Sequence, residues 1–311
     1  MNHRRGRKAP PARNGAGPSP APKGILELDR FSQTLIERWS ELSADLDELN
    51  DVLYFHLEPQ RRRLRSRLLQ ALGATLPRPI DLEQWVRIVD YQWSLHPLSA
   101  AGSLLGCGGR FNAGHDLEPG TLLPWPALYL AQNYSTAYRE KFQLQTGQQV
   151  IGLTPEELAL SAGQSHSTVV MNGKLTKVFH LNAESLEPLA QILRLIQMPK
   201  RAAQIARKLK IKASDLRMIT SGKQLYDAVA LQNWRILPVQ FGLPSASQIL
   251  AELIRAADYE AIAYSSTKDG GKCLAIFVDR LSPDSFVALT DPAPTGVVAR
   301  LDQSTANQLA G

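Results

Sequence analysis

Apolar residues at Leu28, Phe31, Leu35, Trp39, Leu42, Leu46 and Leu49 recur every three or four positions. That spacing puts them on one stripe of a helix. Asp29, Glu37, Glu41, Asp45 and Asp47 lie largely off the stripe. Pro59 suits the first turn of a second helix, where its missing N–H leaves no bond unmade. This second helix runs through Arg61–Leu72 and is basic on its outside. The pattern predicts a helical hairpin over 25–75, with an acidic arm facing a basic one.

Beyond Leu72 the periodicity shortens. Asp81 is placed to cap a short helix, and Trp85–Val89 is apolar. Ala127–Leu130 reads as a short buried strand, and Ser135 as the cap of a helix over Thr136–Leu144. Val169–Asn182 predicts two strands joined at Asn172-Gly173, a dipeptide suited to a tight hairpin turn. Leu186–Ile196 is a helix closed by Pro199, two more helices follow in 200–235, and Ser245–Ala257 is another. Ala261–Tyr264 and Leu274–Val278 are strands. Strands and helices mix without strict alternation, which makes the class α+β.

The net charge of +6 changes meaning once it is located. Arg4, Arg5, Arg7, Lys8, Arg13 and Lys23 fall in residues 1–24, which hold no Asp or Glu; the other 29 basic residues are matched by 29 acidic ones. A formally neutral body has no global field to gather polyanions, so the folded part is not expected to bind nucleic acid. Residues 1–24 are rich in Pro, Gly and Ala, and read as a disordered basic tail. An apolar share of 44% suffices for a sizeable core, and no apolar run is long enough to span a membrane. With no apolar stretch behind the basic start, a secretory leader is not indicated and a cytoplasmic protein is expected. Cys107 and Cys273 form no disulfide framework and have no zinc-type spacing.

Two segments have the wrong composition for plain core. In Gly108-Gly109-Arg110-Phe111-Asn112, glycines let backbone approach a ligand and an arginine can fork onto an anion. In Ser265-Ser266-Thr267-Lys268-Asp269-Gly270-Gly271, small hydroxyl residues and glycines follow a strand, a composition suited to phosphate or ribose contact. Read alone, each is also an ordinary turn. Glu140 is also readable as an exposed helix glutamate, and Tyr129 as a core tyrosine.

Taken in order, these segments resemble the RES-domain family. His96-Pro97-Leu98-Ser99, Gly102-Ser103 and Gly108-Gly109-Arg110-Phe111-Asn112 are similar to its opening signature, with Phe111 where a tryptophan is usual. Ala127-Leu128-Tyr129-Leu130-Ala131 resembles its apolar strand, and Ser135-Thr136-Ala137-Tyr138-Arg139-Glu140 its helix. Tyr259-Glu260-Ala261-Ile262 with Ser266-Thr267-Lys268 resembles its closing segment. The resemblance implies an ADP-ribosyltransferase-like fold with mixed or antiparallel sheets and flanking helices. It places the RES domain at 76–301, with an enlarged helical insertion at about 150–240 and a C-terminal tail at 302–311.

It also implies chemistry: cleavage of the nicotinamide–ribose bond of NAD, by hydrolysis or phosphorolysis, as in toxins of toxin–antitoxin pairs. Glu140, Arg110 and Ser266 are then the catalytic candidates. Arg87, Arg110, Tyr129, Ser265 and Ser266 are the NAD-binding candidates, with Ser266 favoured over Ser265 as the family serine. NAD is a substrate in this reading, and neither a metal nor a prosthetic group is expected. The expected protein partner is a helix-turn-helix antitoxin. Two alternatives stay open in the sequence: transfer of ADP-ribose to a protein, and an inactive NAD-binding module. A third, nucleic-acid binding through the basic run Lys200–Leu209, is disfavoured.

Overall fold

A computed structural model of the protein describes residues 33–144, 166–212, 216 and 218–311. The basic tail at 1–24, the start of the expected hairpin and part of the 150–240 insertion lie outside the described residues. The chain divides at Ala44/Asp45 into a short N-terminal unit and one body, Asp45–Gly311.

The expected hairpin is instead one 42-residue helix, α1, Gln33–Ala74, with Pro59 inside it. Burial on both sides of the proline explains why the helix continues. Before it, Leu49 and Val52 pack on Ala202 and Ile205; after it, Leu68 and Leu72 enter the main core. Each buried leucine contributes roughly 1.5–3 kcal/mol, enough together to offset the backbone bond a proline removes. The acidic side of α1 meets a different basic partner from the one expected. Glu48 pairs with Arg201 and Asp45 with Lys208, both on the basic helix α4 named below.

The strand β1, Arg78–Asp90, takes in Asp81, which therefore caps no helix. A tight pair follows, β2 (Gly108–Gly109) and β3 (Asn112–Ala113), then β4 (Ala127–Ala131). Helix α2 is Tyr134–Phe142, capped by Asn133 and not by Ser135. Strand β5 runs unbroken from His166 to His180. Helices α3 (Ala183–Leu193), α4 (Lys200–Lys208) and α5 (Gly222–Tyr226) come next, and a π-turn at Asp227–Leu231 extends α5. Helices α6 (Ile236–Phe241) and α7 (Ala246–Ala256) precede β6 (Ala261–Ser265) and β7 (Lys272–Phe277). The chain closes with β8 (Phe286–Leu289), β9 (Arg300–Leu301) and α8 (Ala306–Ala310). Residues 302–311 are thus no loose tail, since Leu309 is buried in the core.

The main sheet runs β1-β4-β7-β6-β5-β8-β9, and β1 also pairs with β5, so five strands close on themselves. Among the described residues only β5–β6 of this sheet is parallel; the other pairings are antiparallel. The expected hairpin at Asn172-Gly173 is absent because both residues serve neighbouring strands. Asn172 Oδ1 accepts the Gln84 N–H at 2.8 Å, where β1 bulges with Gln84 at φ 54°. Gly173 lies against the Phe286 carbonyl of β8, a space that any Cβ would fill. A glycine within a strand often marks such an approach. Among the described residues no helix is long and apolar enough to cross a membrane.

Candidate active site

Arg110 and Phe111 form the two-residue turn between β2 and β3, where Gly108 pairs with Ala113 and Gly109 with Asn112. Four buried or half-buried groups fix this turn. Asn112 Oδ1 accepts from the Gly109 N–H (2.9 Å) and from the Tyr129 hydroxyl (2.9 Å). Asn112 Nδ2 donates to the Ser103 and Trp125 carbonyls, at 2.7 and 3.2 Å. The Tyr129 hydroxyl in turn accepts from the Phe111 N–H at 3.0 Å. From α7, the fully buried Gln248 donates through Nε2 to the carbonyls of Cys107, Gly109 and Asn112, at 2.9, 3.1 and 3.0 Å. Gly109 is required here, because a Cβ would sit 2.5 Å from the Tyr129 hydroxyl. The Arg110 guanidinium is anchored from the π-turn, donating through Nη1 to the Ala230 carbonyl at 2.6 Å.

Glu140 comes from α2. The Asn133 side chain caps this helix, accepting from the Thr136 N–H at 2.9 Å, and Thr136 Oγ1 donates to Asp269 at 2.9 Å. The second bond ties the helix to the loop after β6. Gly271 lies against Thr136 Oγ1, where no Cβ fits. The loop is further closed by Ser266 N–H to the Gly271 carbonyl at 2.8 Å. The outcome is that Ser266 Oγ donates to Glu140 Oε1 at 2.5 Å.

Arg110, Tyr129 and Glu140 line one cleft of about 260 Å³, together with Arg87, Tyr264 and Cys273. Ser266 joins it through its bond to Glu140. Ser265 does not. It is the exposed last residue of β6 and lines a separate cavity with His180 and Lys272, whereas Ser266 is buried in the loop that follows. Arg87 reaches the cleft wall with its Nη1 already engaged by the Pro97 and Ser99 carbonyls, at 2.8 and 2.9 Å. Burial lowers its pKa to about 10, so it is charged at neutral pH.

Other cleft groups are held neutral. Burial first, and then the Glu140 carboxylate, push the Cys273 thiol up, so it is no thiolate nucleophile at neutral pH. Burial likewise pushes the Tyr264 hydroxyl well above its ordinary value, and it raises Tyr129 as well. A larger apolar cavity of about 340 Å³, lined by leucines of α1, α3 and α7 and by Arg61, offers little reactive chemistry. The smaller cleft is the candidate site, because there a carboxylate, arginines and a hydroxyl converge.

The family model described as the RES domain matches residues 84–295. The chain belongs to the RES-domain family. With membership comes the mixed α+β, ADP-ribosyltransferase-like fold. No curated protein matches the chain. Among solved structures, the M. tuberculosis MbcT–MbcA toxin–antitoxin complex matches with a TM-score of 0.39 and 15% identity, over 78% of this chain and 96% of that one.

Within this RES domain, three contributors had no distinctive signal in the sequence. Gln248 looked like any polar position of an amphipathic helix. Trp234 and Arg235 line the cleft from between the π-turn and α6, in a stretch that read simply as helical.

Proposed function

We propose that this RES domain breaks the nicotinamide–ribose bond of NAD, acting as the toxin of a toxin–antitoxin pair. The observation that carries the proposal is the convergence of Arg110, Tyr129 and Glu140 on one cleft, with Ser266 bonded to Glu140.

As the C1′–N bond breaks, its electron pair returns to the pyridinium nitrogen and nicotinamide leaves neutral, so the leaving group needs no proton. The ribose left behind is oxocarbenium-like. A fixed Glu140 carboxylate stabilises that cation and orients the attacking water. The water oxygen bonds to C1′ and one proton is released, giving ADP-ribose. A group of this kind is worth on the order of 10²–10³ in rate. Ser266 fixes the carboxylate and hydrogen-bonds the ribose. Arg110 grips a phosphate, and the positively charged nicotinamide packs on the Tyr129 ring. NAD is the substrate, and no resident cofactor enters the scheme. A helix-turn-helix antitoxin that covers the cleft fits the same reading.

The test is product analysis after mixing the purified protein with NAD, with and without phosphate. Nicotinamide plus ADP-ribose indicates hydrolysis, and a phosphorylated ADP-ribose indicates phosphorolysis. Label retained on protein indicates transfer, and intact NAD opposes the proposal.

A further inference from the structure

Arg235 lines the same cleft as Gly109 and Arg110 of the Gly-Gly-Arg turn and belongs to none of the RES motifs. It lies between the π-turn and α6, in the enlarged insertion. The Trp234 ring supports its guanidinium, with Cζ 4.7 Å from the ring centroid, a cation–π arrangement. Its Nη1 donates to Gln143 Oε1 at 3.1 Å. Gln143 ends α2 in the left-handed conformation (φ 58°), and its Nε2 donates to the Glu140 carbonyl at 2.6 Å. Arg235 is therefore tied to the end of the helix that carries Glu140.

Two features make this arginine ligand-directed. First, among the described residues neither Arg110 nor Arg235 is ion-paired, and each fork is anchored through a single Nη1. Second, the two like charges line the same cleft. Burial, and next the charge of Arg110, pull Arg235 below its ordinary value. Glu140 is the one carboxylate among the described cleft-lining residues and is ion-paired with neither arginine, so the two guanidiniums outweigh it and favour a ligand that brings further negative charge.

We infer that Arg235 is a second phosphate-gripping residue, which with Arg110 clamps the diphosphate of a dinucleotide and so makes part of the insertion a wall of the site. The inference rests on the NAD reading, and it names which end of the fold holds the diphosphate: the gap between the β2–β3 turn and the Trp234-Arg235 segment.

The test is calorimetric titration of the full protein, Arg235→Gln and Arg235→Lys with ADP-ribose, which has both phosphates and no nicotinamide bond to break. Adenosine, with no phosphate, is the control. Arg235→Gln is expected to weaken ADP-ribose binding by about tenfold to a hundredfold, the value of a charge-assisted contact, while adenosine changes less than twofold. Arg235→Lys is expected to recover only part of the loss, because an ammonium cannot fork. In NAD turnover, KM should rise by more than kcat falls. Equal ADP-ribose affinity in wild type and Arg235→Gln overturns the inference, as does an equal loss for adenosine or no binding by wild type. Failure of the NAD reading looks different: wild type binds ADP-ribose through Arg235 yet leaves NAD intact.

Discussion

Ser266 Oγ donates to Glu140 Oε1 at 2.5 Å across 126 residues of chain. The bond joins the loop after β6 to α2 and removes one degree of freedom from the carboxylate. Ser266→Ala should lower kcat for NAD by about tenfold to a hundredfold, the worth of a hydrogen bond to a charged group. Ser265→Ala, one residue away and facing another cavity, should keep the wild-type rate. Parallel kinetics on the two variants check this.

Gln248 tests how the Gly-Gly-Arg turn is held. Gln248→Leu keeps the bulk but leaves three carbonyls of the turn without that donor. A loss on the order of 3 kcal/mol is expected, from partial desolvation of those groups. Urea denaturation measures it, and KM for NAD should rise in the same variant because Arg110 rides on the turn.

Gly271 and Thr136 form a steric pair. Gly271→Ala drives a methyl onto Thr136 Oγ1, and overpacking of this kind costs typically 1–3 kcal/mol. Thr136→Ala makes room. The double variant should therefore be more stable than the sum of the two single effects predicts, by more than about 0.5 kcal/mol in a double-mutant cycle.

Glu260 sets an acid limit on stability. It is fully buried and accepts from Thr176 Oγ1 at 2.8 Å, Thr176 N–H at 3.2 Å and Ser282 N–H at 3.2 Å. Burial pushes its carboxyl up, but these bonds and Ser285 hold it below its ordinary value of 4.5. A depressed folded pKa gives stability that is present above the unfolded value and lost as pH falls through the folded one. Glu260→Gln should therefore be less stable than wild type at pH 7, with the gap narrowing below about pH 4.5. Chemical denaturation across pH 3–7 reads this out.

The parts of the fold legible in the sequence were those where local and tertiary preferences agree. Ala127–Leu130, Ala261–Tyr264 and Leu274–Val278 are apolar runs that a buried sheet centre accepts; the first two lie in observed strands, and the third runs one residue past β7, which ends at Phe277. Ser245, the first residue of the expected helix, is its N-cap. Elsewhere tertiary contacts overrode local signals. Pro59 reads as a helix start, yet burial on both sides carries the helix through it. Asn172-Gly173 reads as a turn, yet the bulge at Gln84 and the approach of β8 use both residues in mid-strand. The site divides in the same way. Arg110, Tyr129, Glu140 and Ser266 sit in recognisable motifs. Gln248 and Arg235 act through contacts spanning 92 to 141 residues, which no local pattern encodes.

The central claim is that Glu140 drives NAD cleavage. Wild type and Glu140→Gln, purified side by side and matched for thermal stability, are compared for nicotinamide release from NAD. A loss on the order of 10²–10³ in kcat, with the change in KM much smaller, is the expected result. Equal rates in the two proteins would contradict it.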